Sequence, residues 1–193
     1  MITTLTCAFT QWSPGLGDNS AMGWVTVLVY LVAAILAARA ATALRGPEAP
    51  LRRERVFWSI TAAVLFFLAV NKQLDLQTLF TTIGRCNARL MGWYDMRHTI
   101  QRDFILAVAI VGVLTVGLLA LLLRGILGRV WPALLGIGFV CGFVLIRAAS
   151  FHDVDGLIGS WAMGIKVNWL LELPGPTLVA ITAALRRKVA LTG

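Results

Sequence analysis

Two short stretches hold most of the side chains that could do chemistry. NKQLDLQ at 71–77 sets Asn71 and Asp75 one helical turn apart and Lys72 three residues before Asp75, so on a helix an amide, an amine and a carboxylate share one level. RAASFHDVD at 147–155 offers Arg147, Ser150, His152, Asp153 and Asp155. Asn168 and Glu172 follow, just ahead of the Pro-Gly-Pro at 174–176. His152 with Asp75 or Asp153 has the acid and base capacity for hydrolysis or group transfer, with Glu172 as orienter or second acid. Lys72, Arg147, Asn71 and Ser150 are the residue types that hold an anionic headgroup.

Other chemistries fit less well. Ser150, His152 and Asp153 are too close in sequence to form a nucleophilic relay on one helix, because positions i and i+2 point apart. His98, His152 and Asp155 are the residues from which a metal centre could be assembled, with Asp75 and Asp153 near them in topology. No HxxxH, HExxH or CxxC spacing occurs, so no metal is expected, and no cofactor is implied. Cys7 and Cys86 fall on the same side of the chain's expected topology and are able to bridge, whereas Cys141 lies inside an apolar run.

The elements that must position these residues follow from composition. Of 193 residues, 59% are hydrophobic and 13% charged, about half the charge of an ordinary soluble domain, which excludes a soluble globule and a disordered chain. Uncharged runs separate the charges: 20 residues between Asp18 and Arg39, 16 between Arg55 and Lys72, 20 between Asp103 and Arg124, and 17 between Arg129 and Arg147. A fifth run of 19 residues, from Lys166 to Arg186, is interrupted only by Glu172. Each is close to the roughly 20 residues that cross a bilayer.

The expected fold class is therefore all-α: a single polytopic transmembrane helical bundle over 1–193. Its five spans are near 20–44, 56–75, 103–123, 130–148 and 165–185, with an outer interfacial segment at 76–102. The first span is expected to be retained, since it lacks a basic leader and exceeds the length of a signal-peptide core.

The charge distribution gives an orientation. Segments 45–55, 124–130 and 186–193 carry nine basic residues in 26, against seven in the 72 residues of 1–20, 71–102 and 147–166. By that density the first set is cytoplasmic, which puts the N-terminus outside and the C-terminus inside, with the inner (plasma) membrane as the expected location. The net charge of +8 thus reads as topology, and nucleic acid is not an expected partner. The segment RGPEAPLRRER reads as a tether, because two prolines and a glycine oppose a continuous helix. The outer segment reads as the second span running past the bilayer, a break near Gly84, and an interfacial helix with Trp93 and Tyr94 at headgroup level. The N-terminal WSPGLGD reads as a turn-rich cap over the mouth of the bundle.

Glu172 is the most informative single residue. Fourteen residues from Arg186, or about 21 Å of helix, it would sit roughly 9 Å below the outer edge of the hydrocarbon. A charge inside a span costs about 2.5–3.5 kcal/mol at the centre, so it is normally paired or functional. Lys72 and Arg147 are its candidate partners. One reading is an ion pair that fixes helix packing; the other is a small water-filled cavity lined by Glu172, Asp75 and the two cations. The first leads to a non-catalytic accessory or assembly subunit, whose partners are the lipid bilayer and other membrane-protein subunits. The second leads to a membrane-embedded hydrolase or transferase acting on a lipid or lipid-linked substrate at the outer leaflet.

Overall fold

The structure is a computed structural model that describes residues 3–13, 20–92, 97–148, 161–162 and 165–192. Helices α1 (Thr4–Gln11), α2 (Ala21–Ala43), α3 (Ala49–Leu74), α4 (Leu76–Leu90), α5 (Arg97–Leu123) and α6 (Leu127–Ala148) are followed by a two-stranded hairpin, β1 (Trp161–Ala162) with β2 (Ile165–Lys166). Helices α7 (Val167–Glu172) and α8 (Pro174–Thr192) complete the chain. Among the described residues, α2, α3 and the Leu127–Val144 part of α6 are long and apolar enough to cross a membrane, and α5 adds the apolar run Ile110–Leu123.

The helix boundaries follow from local chemistry. Ser20 caps α2 by accepting from the Gly23 amide at 3.0 Å, and Thr3 caps α1 by accepting from Thr6 at 3.2 Å. The chain leaves α2 at Leu44 and turns at Gly46, whose φ of 134° is open to glycine and strained for other residues. The Arg55 guanidinium then donates to the carbonyls of Leu44 (3.0 Å) and Gly46 (3.2 Å), satisfying acceptors that the end of α2 leaves free.

Two boundaries differ from the sequence expectation. The second long helix begins at Ala49, so seven of the eleven residues of the supposed tether are helical. Pro50 occupies the first turn, where its missing N–H would have had no partner and its fixed φ suits a helix. The break beyond this helix falls at Asp75, and α4 runs unbroken through Gly84. Asp75 takes φ 50°, ψ 46°, the left-handed conformation, and among the described residues it is the only non-glycine with positive φ. Its amide still donates to the Asn71 carbonyl (2.9 Å), closing α3, while its own carbonyl accepts from Thr78 (3.1 Å), opening α4. Aspartate is among the few side chains that tolerate this region.

Packing centres on α2, which lies against both α3 and α8; α8 in turn packs on α6. The buried face of α2 includes Ala33, Ala37 and Ala41 at four-residue spacing, and such small side chains let neighbouring backbones approach closely within a membrane. Helix α3 buries Glu54, Trp58, Thr61, Leu65 and Ala69, one helical stripe with a charge at its first position. The closest approach of α6 and α8 is at Gly136 and Gly175. A Cβ on Gly136 would stand 2.7 Å from the Gly175 carbonyl oxygen, and one on Gly175 would stand 2.8 Å from that of Gly136. Pro174 and Pro176 flank that contact, and α7 and α8 are separated by a bend at Leu173, where Pro174 removes a backbone donor.

Helices α1 and α4 form a second layer, packed on one another and joined by a disulfide between Cys7 and Cys86. The Gln11 amide lies against both sulfurs, 3.5 Å from Cys7 Sγ and 3.7 Å from Cys86 Sγ. Helix α5 behaves differently, since Leu106, Ile110, Val113, Leu114, Leu118 and Leu121 are all uncovered by protein.

Candidate functional site

The polar chemistry inside the bundle is arranged as two ion-pair clusters at opposite ends of α3. At the far end of α3, Lys72 Nζ donates to Glu172 Oε2 at 2.8 Å, and the two side chains are 8% and 5% exposed. Lys72 is in the last turn of α3, and Glu172 is the last residue of α7, placed there by the bend that Pro174 enforces. The pairing that the sequence offered between Glu172 and Lys72 is therefore present. Neither charge is exposed to an open site: the amine neutralises the acid, and at this burial breaking the contact would strand a charge in low dielectric.

At the near end, Glu54 is fully buried and receives a fork of donors. Arg186 approaches through Nε to Oε1 and through Nη2 to Oε2, the latter at 3.0 Å. Planar guanidinium and carboxylate groups matched in this way make the stronger kind of charged hydrogen bond. Arg129 adds an ion pair at 3.7 Å from Nη1 to Oε2, and the Trp58 indole N–H donates to Oε1 at 3.4 Å from one turn further along α3. Arg186 is only 16% exposed, whereas Arg129 is 52% exposed, so Arg186 is the principal partner.

These clusters determine how α3 and α8 run. Glu54 and Lys72 are 18 residues apart on one helix, about 27 Å of rise, close to the thickness of a hydrocarbon core. Their partners occur in the reverse order, Glu172 just before α8 and Arg186 near its end. The two segments are therefore antiparallel and pinned at both ends.

The remaining candidate residues fall as follows. Asn71 is partly buried in the last turn of α3, and its carbonyl accepts from Asp75. Asp75 sits at the left-handed junction, its amide still bonded one turn back to the Asn71 carbonyl. Arg147 and His98 belong to α6 and α5, but their side chains lie outside the described residues. Ser150, His152, Asp153 and Asp155 lie outside them altogether, as do Trp93, Tyr94 and most of the WSPGLGD cap. Among the described residues, no group of three His, Cys, Asp or Glu side chains could hold a metal ion. Beside Lys72, both polar atoms of the Gln73 amide are buried without a hydrogen-bond partner.

The Glu54 cluster was not expected from the sequence. Its signal was nonetheless present, because Glu54, Trp58, Thr61, Leu65 and Ala69 follow the 4-3-4-4 spacing of a buried helical face. An acid that continues such a stripe is itself buried and needs a cation.

No protein-family model matches the chain, and no curated protein or solved structure matches it either.

Proposed function

We propose that the chain is a five-span protein of the inner (plasma) membrane, N-terminus outside and C-terminus cytoplasmic, that serves as a non-catalytic accessory or assembly subunit of a membrane complex. The observation that carries this reading is the engagement of Glu172. This acid, set within an apolar run, is 2.8 Å from an amine and almost fully covered, which suits a packing role better than a reactive one. Glu54 at the opposite end is engaged in the same way. Helix α5, with Leu106, Ile110, Val113, Leu114, Leu118 and Leu121 uncovered by the rest of the protein, is the surface that would meet lipid or a neighbouring subunit.

Two features support the orientation. The Cys7–Cys86 disulfide suits an oxidising compartment, which supports an extracytoplasmic location for α1 and α4. The opposite end carries the dense basic segments around Arg52, Arg124 and Arg186, in line with the excess of positive charge on cytoplasmic loops.

One observation favours the second reading, a membrane-embedded hydrolase or transferase for a lipid-linked substrate at the outer leaflet. The Gln73 amide, buried and unsatisfied next to Lys72, is a polar group that a bound substrate would satisfy. Glu172→Gln, Asp75→Asn and His152→Ala separate the two readings. A subunit role predicts that Glu172→Gln lowers the amount of membrane-inserted protein and of its complex on a native gel, while Asp75→Asn and His152→Ala leave both unchanged. Full insertion and assembly of all three variants, with loss of the cellular phenotype in Asp75→Asn and His152→Ala, would overturn it.

A further inference from the structure

We propose that an anionic phospholipid occupies the cleft between α3, α5 and α6, its phosphate held by Arg52, Arg53 and Arg124 and its acyl chains laid along the apolar walls. The cleft has a volume of about 630 Å³, within the roughly 300–1,000 Å³ that ligand sites occupy. Its polar and apolar parts are segregated along its length. The three arginines stand at one end, and the wall beyond them is aliphatic and aromatic save for Thr61.

This segregation is written into the helices. Arg52, Val56, Ile60 and Val64 recur every four residues along α3, so the apolar wall extends about 18 Å inward from the first guanidinium. Leu122 of α5 and Leu134 of α6 face it from the other side. Arg124 directly follows the last residue of α5, which sets its charge level with the start of α3. Arg53 reaches toward the turn between α5 and α6, where its Nη1 lies 4.0 Å from the point a Cβ on Gly125 would occupy.

Charge complementarity identifies the occupant. Among the described residues no acid lines the cleft, and the nearby Glu54 is buried and engaged by Arg186. Three guanidiniums at a membrane surface without a lining carboxylate call for an anion, and the apolar wall below calls for chains attached to it. Basic pockets between membrane helices bind anionic headgroups in this manner. The proposal goes beyond the subunit role and does not depend on it. Only the choice of the cytoplasmic leaflet follows from the proposed orientation.

The test is native mass spectrometry of the full chain, purified in mild detergent and equilibrated with equal amounts of phosphatidylglycerol and phosphatidylcholine carrying identical chains. Phosphatidylglycerol is expected to be retained selectively. Arg52→Gln, Arg53→Gln and Arg124→Gln should each lower its occupancy about fivefold, and the triple variant should bring it to the phosphatidylcholine level. Val64→Trp, which fills the apolar wall and keeps every arginine, should also expel it. Arg187→Gln with Lys188→Gln, at the same end but outside the cleft, should leave retention unchanged. Equal retention of both lipids, an unaffected set of cleft single variants, an equal loss in the Arg187/Lys188 control, or a partner polypeptide in the cleft instead of lipid would each overturn the proposal.

Discussion

Lys72 and Glu172, a hundred residues apart in the chain, meet at 2.8 Å inside the bundle, while Glu54, on the same helix as Lys72, is held by Arg186 at the other end. Each apolar segment thus carries a charge at the depth where its partner carries the opposite one. A register shift of α8 along α3 by one turn, about 5.4 Å, would break both pairs together. The ion pairs therefore select one alignment between helices whose apolar surfaces alone would accept several.

The near-end cluster should show a steep hierarchy among its members. Arg186→Gln or Glu54→Gln should lower stability by about 3–5 kcal/mol, because each leaves a buried partner uncompensated. Arg129→Gln should cost less than about 1 kcal/mol, as expected for an exposed partner at longer range. Denaturation of the purified variants in mixed micelles measures both, and equal losses at Arg129 and Arg186 would show that the cluster is not organised around Arg186.

Contact between α6 and α8 depends on two glycines facing one another. Gly136→Ala would press a methyl group onto the Gly175 carbonyl and should destabilise the protein by about 1–3 kcal/mol, as overpacking generally does. Gly138→Ala and Gly142→Ala lie on the same helix with open space at the Cβ position, and should be neutral or stabilising by up to about 1 kcal/mol. Thermal inactivation of the three variants in detergent distinguishes the close crossing from a general intolerance of α6 to substitution.

The disulfide joins the α1–α4 layer to itself and not to the α2–α3–α8 core. Cys7→Ser with Cys86→Ser should therefore leave the core's thermal midpoint nearly unchanged while exposing α1 to added protease, because opening of this layer is local. Limited proteolysis of sealed vesicles, analysed with a denaturation scan, reads both effects. A large fall in the core midpoint would mean that α1 is integral to the bundle.

Much of this arrangement is legible in the sequence, and what is hidden there has definite causes. The interruption of an apolar run by Glu172 and the Pro-Gly-Pro after it announced both a buried charge and a helix break, because each carries a penalty that only a partner or a bend removes. Lys72 was a candidate partner because it ends another run at the same expected level. The sequence points to a break near Gly84, whereas the break lies at Asp75. Glycine is the usual residue for irregular backbone, but here it is tolerated inside α4, while an aspartate takes the left-handed position. Glu54 was hidden by its neighbours: surrounded by Arg52, Arg53 and Arg55 and preceded by two prolines, it looked like part of a solvated loop. Only the stripe it shares with Trp58 and Leu65 marked it as buried. The Cys7–Cys86 pairing had no spacing rule behind it, since it depends on α1 docking against α4 rather than on any local pattern.

A double-mutant cycle on Lys72 and Glu172, read as the unfolding free energy of the purified protein in micelles, tests most directly whether these charges exist to hold helices together. Lys72→Met and Glu172→Leu should each cost about 3–5 kcal/mol by stranding one buried charge, and the double variant should recover most of that loss, since an apolar pair of similar size replaces a buried ion pair well. Single variants that unfold like the parent, or a double variant as unstable as the sum of the singles, would contradict the account.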